Sequence, residues 1–524
     1  MSFALFLPFS LALLLYLVTM QTSFFWGDAL DEVRAATASE RYVPPQHLIS
    51  STVNAGVLAL SGVRTENGSF ILLQILMIIA TLVGASGLLL LLKRLSVDRG
   101  LLFGIIGLYF LANGIWYHGS TVETGAIPLA LLVWSLYWLL RNETPTPKDI
   151  IVSFSFVSLS VLFNLQQALF IPLFLLYVIV RQRLLTDRFR SFATISTTVL
   201  LTGLLPYLLI AQAAHSFSSI PEFIAWVTYN PHIEIIGKMK DVSLESATRS
   251  ISGMFALVVE PRGATSWLKF VMRENTNVPI DPVMLLRLIV PAALLIFVVI
   301  GSLLSFRQRR DIGLLAVLST ASCFLFGYIW LGSDPQFWLP AWPLLLLSAG
   351  IGFTPLIAAG KLSRTTTYTT ISVALLLLLF LNTPQTSPSL LFQSGGEEFQ
   401  AVCQFSDSVE SADLVIAPGG RWGTYFAKLR PEVAFINLEL DTNGVMGTEG
   451  EEFTAVLRER IEPIVERGNK VFIDGGFETR EVLLSSPWDG FRLKHDLSRE
   501  ELMDGLRQFN QFTLLDEGSR NGIA

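Results

Sequence analysis

The sequence predicts a polytopic α-helical membrane protein, of about eleven transmembrane helices, carrying a soluble α/β domain at its C-terminal end. Three observations predict it. Hydrophobic residues make up 52% of the 524 and charged residues only 15%, against about 25% charged in an ordinary soluble domain. The apolar residues stand in long blocks divided by short charged loops, as consecutive membrane helices do. From Glu397 onward the character changes: 24 acidic and 13 basic residues give that part a net charge of −11, while the part before it carries +5.

Eleven apolar blocks are read as spans: 3–20, 69–92, 101–117, 125–140, 150–163, 168–180, 192–214, 283–304, 312–331, 337–353 and 367–381. Helices are expected for all of them, because hydrocarbon offers backbone groups no partner but each other. The first block lacks a basic leader and a small-residue cleavage site before Trp26, so it reads as a retained anchor. The fifth and sixth blocks are short, with Asn164, Gln166 and Gln167 between them. The arginines keep them apart. With the N-terminus in the cytoplasm, five short loops collect Lys93, Arg94 and Arg99; Arg141 and Lys148; Arg181, Arg183, Arg188 and Arg190; Arg307, Arg309 and Arg310; and Lys361 and Arg364. Basic loops face the cytoplasm, and merging the two blocks would put Arg141 and Arg181 on opposite sides.

This topology makes residues 1–381 an inner-membrane, multi-pass module with outer loops at 21–68 and 212–282, and residues 382–524 an external acidic domain. In that domain short β-rich runs (DLVIAPGG, VAFINLEL, KVFIDGG) alternate with helical ones, the pattern of a small open-sheet α/β fold. Gly419-Gly420 and Gly475-Gly476 follow strands, but no GxGxxG or GxxxxGK[ST] accompanies them, and turn glycines are the simpler reading. The acidity argues against nucleic acid as a partner. Two cysteines, Cys323 and Cys403, make no disulfide framework. All five histidines fall on the outer side without HExxH or other metal spacing, so no metal site is expected.

Polar groups crowd that outer face. The loop at 26–47, WGDALDEVRAATASERYVPPQH, holds Asp28, Asp31, Glu32, Arg34, Glu40, Arg41 and His47. On a helix Asp28 would share a face with Asp31 and Glu32, so these carboxylates are either well solvated or held by a cation such as Arg34. His118 and Glu123 stand between the third and fourth spans, and Gln166 and Gln167 between the fifth and sixth. Arg287 lies just inside the eighth span, Gln336 just before the tenth. Each alone reads as a solvated turn or a snorkelling side chain. Together, at one membrane face, they suggest a site.

Those residues carry a resemblance. WGDALDEVRAATASERYVPP resembles the first outer loop of the GT-C glycosyltransferases that use polyprenyl-phosphate sugars, including the protein O-mannosyltransferases and the lipid A aminoarabinose transferases. Asp31-Glu32, Arg34, Ala35-Ala36 and Pro44-Pro45 follow that family's order of acid pair, arginine, small residues and proline. FWLPAWPLLLL at 337–347 is similar to the RYLLPxxP start of a late span, although Gln336 stands where that motif often has a basic residue. The layout is similar across 1–381, and no match covers the tail.

The resemblance implies a polyprenyl-phosphate sugar donor reached from the membrane lipids, and a glycan, lipid or protein acceptor at the outer face. It implies a carboxylate to take the acceptor proton and cations to hold the phosphate. Asp31 is the expected base, with Asp28 the alternate and Glu32 beside them. Arg262, Arg287, Lys238 and Lys240 are expected at the phosphate. His47, His118, Glu123 and His232, together with Arg34, Gln166, Gln167 and Gln336, complete the expected substrate-binding set. No cofactor is assigned, and a divalent cation stays open. Two other classes are weighed against this one. A transporter or flippase would place ionisable groups at span centres, and these are nearly charge-free. A non-catalytic envelope assembly protein would work through its external domain.

Overall fold

A computed structural model describes residues 6–20, 33, 36, 45–63, 65–182, 184–228, 244–259, 282–329, 332, 334–387, 405–407, 409–417, 426, 430, 432–437, 461–464, 466–473 and 513–514. The chain forms two compact units: Met1–Tyr229 with Met239–Phe392, and Asn230–Lys238 with Gln393–Ala524.

The described part of the first unit is helical. In chain order it comprises α1 (Leu7–Val18), α2 (Ser50–Ser61), α3 (Glu66–Arg94), α4 (Arg99–Leu111), α5 (Asn113–Ser120), α6 (Ala126–Leu140), α7 (Pro147–Phe163) and α8 (Phe170–Arg181). There follow α9 (Leu185–His215), which contains a π turn at Leu200–Leu204, and then α10 (Ile220–Thr228) and α11 (Leu244–Val258). The last four are α12 (Pro282–Ser305), α13 (Arg310–Ile329), α14 (Trp342–Ala358) and α15 (Arg364–Ser387). Among the described residues, five helices are long and apolar enough to cross a bilayer, and α4 with α5 passes the same test as a pair bent by 59°. Residues such as Leu11, Leu209, Ile296 and Leu376 turn apolar side chains outward. Water would not tolerate so many of them, whereas lipid does.

Side-chain caps start several of these helices. Asp98 accepts from the N–H groups of Gly100 and Leu101, and Thr146 forms a reciprocal capping box with Asp149, so otherwise orphaned donors are satisfied. The expected single span at 101–117 is in fact α4 and α5, broken at Ala112, whose extended backbone ends the first helix. The break frees the Leu111 carbonyl, and two buried amides bind there and at the end of α11. Asn382 Nδ2 donates to the carbonyl oxygens of Leu111 at 2.8 Å and Val258 at 3.1 Å, and Asn113 Nδ2 donates to that of Ala256 at 2.9 Å. The end of α11 is thereby tied to the break, which is how a polar backbone is accommodated at this depth. The adjoining core is aromatic. Tyr16 and Trp116 stack at 6.4 Å, Tyr16 Oη donates to the Phe110 carbonyl and Trp116 Nε1 to Thr19.

The basic loops meet at one end of the bundle. Arg94 donates to the Arg141 carbonyl, and Arg141 pairs with Asp149 at 2.5 Å. Arg181 donates to the Glu143 carbonyl and lies 3.7 Å from Asp311, which Arg309 also holds. Tyr368 Oη donates to Asp98, whose backbone N–H donates to Thr354. All five sequence regions chosen for their positive charge are joined by these bonds. Helix α7, 17 residues long, carries the chain about 25 Å from this end to the other.

In the second unit four parallel strands, β1 (Leu414–Ala417), β2 (Ala434–Asn437), β3 (Val471–Ile473) and β4 (Thr513–Leu514), form a sheet of order β2-β1-β3-β4. Leu414 faces both Ala434 and Val471 in register. The order reverses between β1 and β3, the position at which open sheets form crevices. The two glycine pairs that follow these strands in sequence lie outside the described residues. The strand at β4 was not expected from sequence.

Candidate functional site

At the end opposite the basic loops, three chain segments close on the last turn of α7. A short 3-10 turn, Pro45–His47, brings His47 Nδ1 to 3.0 Å from the Phe163 carbonyl oxygen. A carbonyl only accepts, so Nδ1 carries the proton in this contact. Ser50 donates to the same oxygen at 3.3 Å, and the Ile49 N–H to the Leu162 carbonyl at 3.2 Å. These are carbonyls that a helix end leaves without intrahelical partners, so the first loop serves as the cap of α7.

Just past that end, Asn164 accepts from the Gln166 N–H and starts a second 3-10 turn, Leu165–Leu169. Gln166 and Gln167 in this turn are buried, which sets aside the solvated-turn alternative for them. Gln166 Nε2 donates to the Phe337 carbonyl at 2.8 Å, tying α7 to the segment before α14. Among the described residues the Oε1 atoms of Gln166 and Gln167 are buried without a hydrogen-bond partner.

Across from His47, the Tyr117 hydroxyl donates to Glu123 Oε1 at 3.1 Å, and Glu123 is only 6% exposed. His118 is also buried, edge-on to Tyr117 at 5.1 Å between ring centres, with its Nδ1 unpaired among the described residues. A cavity of about 10 Å³, room for about one water, is lined by Ser50, Asn54, Glu123, Thr124 and Phe163 together with apolar Met77 and Ile127. One turn before Met77 on the same face of α3 stands Gln74, fully buried with both amide atoms unpaired among the described residues. Buried polar atoms are ordinarily satisfied. Gln74, His118, Gln166 and Gln167 keep such atoms without a hydrogen-bond partner among the described residues.

Of the residues singled out from sequence, His47 and Glu123 are thus linked through Phe163 and the cavity, Gln166 stands three positions past Phe163 and bonds Phe337, and His118 adjoins Glu123 through Tyr117. Gln167 sits in the same buried turn. Gln336 lies nearby in sequence to Phe337, but its side-chain and backbone N–H groups both donate to Asp334, at 3.0 and 2.9 Å. Arg287 is half-buried, one turn into α12, and lines neither this cavity nor the apolar groove described below. Asp28, Asp31, Glu32, Arg34, His232 and Arg262 lie outside the described residues. Between Asp28 and Arg41 only Val33 and Ala36 are described, both helical and both buried.

Sequence reading missed Ser50, Asn54, Tyr117 and Gln74. The signals existed: Ser50 and Asn54 are a polar pair at i, i+4, and Gln74 is a lone amide in an apolar block, an expensive placement in a membrane. It also missed α11 as a bundle element. Ser250 on that helix accepts from Trp338 Nε1 at 2.9 Å and donates to the Phe324 carbonyl.

Fold and site together define a multi-pass helical membrane protein with a buried polar cluster at one end of its bundle. No protein-family model matches the sequence, and no curated relative does. Among solved structures the chain is similar to the archaeal oligosaccharyltransferase AglB from Archaeoglobus fulgidus in complex with an inhibitory peptide and a dolichol-phosphate. The TM-score is 0.50 at 11% identity, over 83% of this chain and 64% of that one, so this chain spans under two thirds of AglB. It is also similar to ArnT from Cupriavidus metallidurans bound to undecaprenyl phosphate, with a TM-score of 0.48 at 12% identity, over 84% of this chain and 90% of that one. The fold is the GT-C fold.

Proposed function

We propose that the protein is an integral-membrane glycosyltransferase that moves a sugar from a polyprenyl-phosphate donor to a glycan, lipid or protein acceptor at the outer face. The observation that carries this reading is the meeting of His47, Ser50, Glu123 and Gln166 around the end of α7, in a bundle of GT-C fold. The segment docked there continues the acidic loop that resembles the catalytic loop of this class. The dolichol-phosphate bound to AglB supports a lipid phosphate as ligand.

In this reading eleven spans leave the N-terminus in the cytoplasm and put the polar cluster and the α/β unit outside. The acceptor oxygen attacks the anomeric carbon, and the bond from that carbon to the phosphate oxygen breaks. The acceptor proton passes to Asp31, and the prenyl phosphate leaves as an anion held by Arg262 and Arg287. Prenyl phosphate is already a good leaving group, so acid assistance is a minor need. Glu123 and His47 hold sugar or acceptor hydroxyls. Residues 1–381 contain this site, and residues 382–524 serve acceptor choice or assembly.

Membranes with and without the protein, fed radiolabelled polyprenyl-phosphate sugars, test the reading. Protein-dependent release of label from the lipid onto a polar acceptor is expected. Label that crosses the membrane while still attached to its lipid would instead identify a flippase.

A further inference from the structure

A second feature lies away from the polar cluster. Helices α1, α4 and α15 wall an apolar groove of about 870 Å³, lined along α1 by Leu7 to Val18, along α4 by Gly100 to Leu111 and along α15 by Tyr368 to Leu379. Each wall is eleven residue steps, or about 16 Å, long. That is about half of the ~30 Å hydrocarbon core, the depth of one leaflet. The volume over that length leaves a mean cross-section of about 50 Å², whereas carbon contacts of about 4 Å give a single extended chain roughly 15–20 Å². The groove is therefore wide enough for two chains lying side by side.

One mouth of the groove is positively charged. Gly100 lines it beside exposed Arg99, and Tyr368 lines it one turn after exposed Arg364. Lys93, Arg94 and Lys361 are exposed in the same two loops. The acid at this mouth, Asp98, is already occupied, accepting from Tyr368 Oη at 2.5 Å and from the Gly100 N–H at 3.0 Å.

From this we propose that the α1–α4–α15 groove is a binding site for an anionic two-chain glycerophospholipid, its chains in the groove and its phosphate at Arg99 and Arg364. Basic pockets between membrane helices suit anionic head groups. The site is separate from the polar cluster, at the other end of the bundle, and does not depend on the glycosyltransferase reading.

The purified full-length protein in detergent micelles, titrated in turn with phosphatidylglycerol, phosphatidylcholine and undecaprenyl phosphate, tests it by native mass spectrometry of bound lipid. Phosphatidylglycerol is expected to bind once per chain and in preference to phosphatidylcholine. Each arginine contributes about fivefold near a charged surface, so Arg99→Gln with Arg364→Gln should weaken phosphatidylglycerol about 25-fold and leave phosphatidylcholine unchanged. Both arginines are exposed, so folding should be kept. Leu11→Trp, which fills the groove from its lipid-facing wall, should weaken both lipids. Equal binding of the two phospholipids to wild type, a preference that survives the double substitution, or displacement of phosphatidylglycerol by undecaprenyl phosphate would each overturn the assignment.

Discussion

His47 and Phe163, 116 positions apart in the chain, are joined by a hydrogen bond of 3.0 Å from an imidazole nitrogen to a backbone carbonyl. The bond fixes the end of the first loop against the end of α7, beside the cavity that Glu123 lines. His47→Ala should detach that loop end. One net hydrogen bond is about 1–1.5 kcal/mol, and donor turnover is expected to fall about tenfold. Ser50→Ala, which removes the longer bond to the same oxygen, should cost less. Turnover assays on both variants, alongside their melting temperatures, check the order.

Glu123 is a buried carboxylate bonded by Tyr117. Glu123→Gln keeps the shape and an acceptor for the tyrosine but removes the charge. If this carboxylate holds a substrate hydroxyl, sugar release should drop about 10- to 100-fold, roughly 1.4–2.7 kcal/mol, with normal protein accumulation. Unchanged release at normal accumulation would reduce Glu123 to a packing residue.

Asp31→Asn tests the base. Loss of a general base costs about 10²–10⁴-fold in rate, and retention of the donor should change far less because cations elsewhere hold the phosphate. Asp28→Asn is the milder control. Inverted results would move the base three residues upstream, and two active variants would remove this loop from the chemistry.

At the basic end, burial alone would raise the Asp149 carboxyl. The Thr146 N–H, the Asn142 amide, the Thr146 hydroxyl and Arg141 outweigh it and hold the group below the usual carboxylate range. A carboxyl depressed in the folded state adds stability above its unfolded pKa and loses it as pH falls through the folded one. Asp149→Ala should therefore lower the melting temperature at pH 7, by the equivalent of about 2–3 kcal/mol. The deficit against wild type should be constant at neutral pH and shrink below about pH 4. Thermal melts from pH 7 to pH 3 measure it.

Sidedness is checked by a reporter active only in the cytoplasm. Fused after Ala524 it should be silent, and inserted at 307–310 it should be active. A strong signal after Ala524 would overturn the eleven-span count and reopen the sidedness of every proposed site residue.

The helical bundle was legible in the sequence because apolar block length and basic loop charge are local properties, and the five basic regions do meet at one end. The break at Ala112 was not legible. It depends on Asn382, some 270 residues later, supplying hydrogen bonds to the freed Leu111 carbonyl. The candidate site was legible in part. His118, Glu123, Gln166 and Gln167 stood out as polar residues at apolar boundaries, but their burial follows from packing against Phe337, Tyr117 and α2, contacts that no local pattern encodes. Helix α11 was hidden for the same reason: its polar and small face becomes intelligible only once Trp338 and Phe324 are placed beside Ser250.

The seam between α4 and α15 has a consequence for biosynthesis. Gly104 and Gly107 let the two helices approach so closely that a Cβ at Gly104 would lie 2.5 Å from Ile371. The bond from Tyr368 to Asp98 fastens the same seam across 270 residues of chain. At translation rates of about 5–20 residues per second, α4 waits roughly 15–50 s in the bilayer before its partner is made. During that interval its glycine face can be covered only by lipid. Docking of α15 is therefore an exchange in which that helix expels acyl chains from the glycine face of α4, and the groove walled by α1, α4 and α15 takes its shape only then.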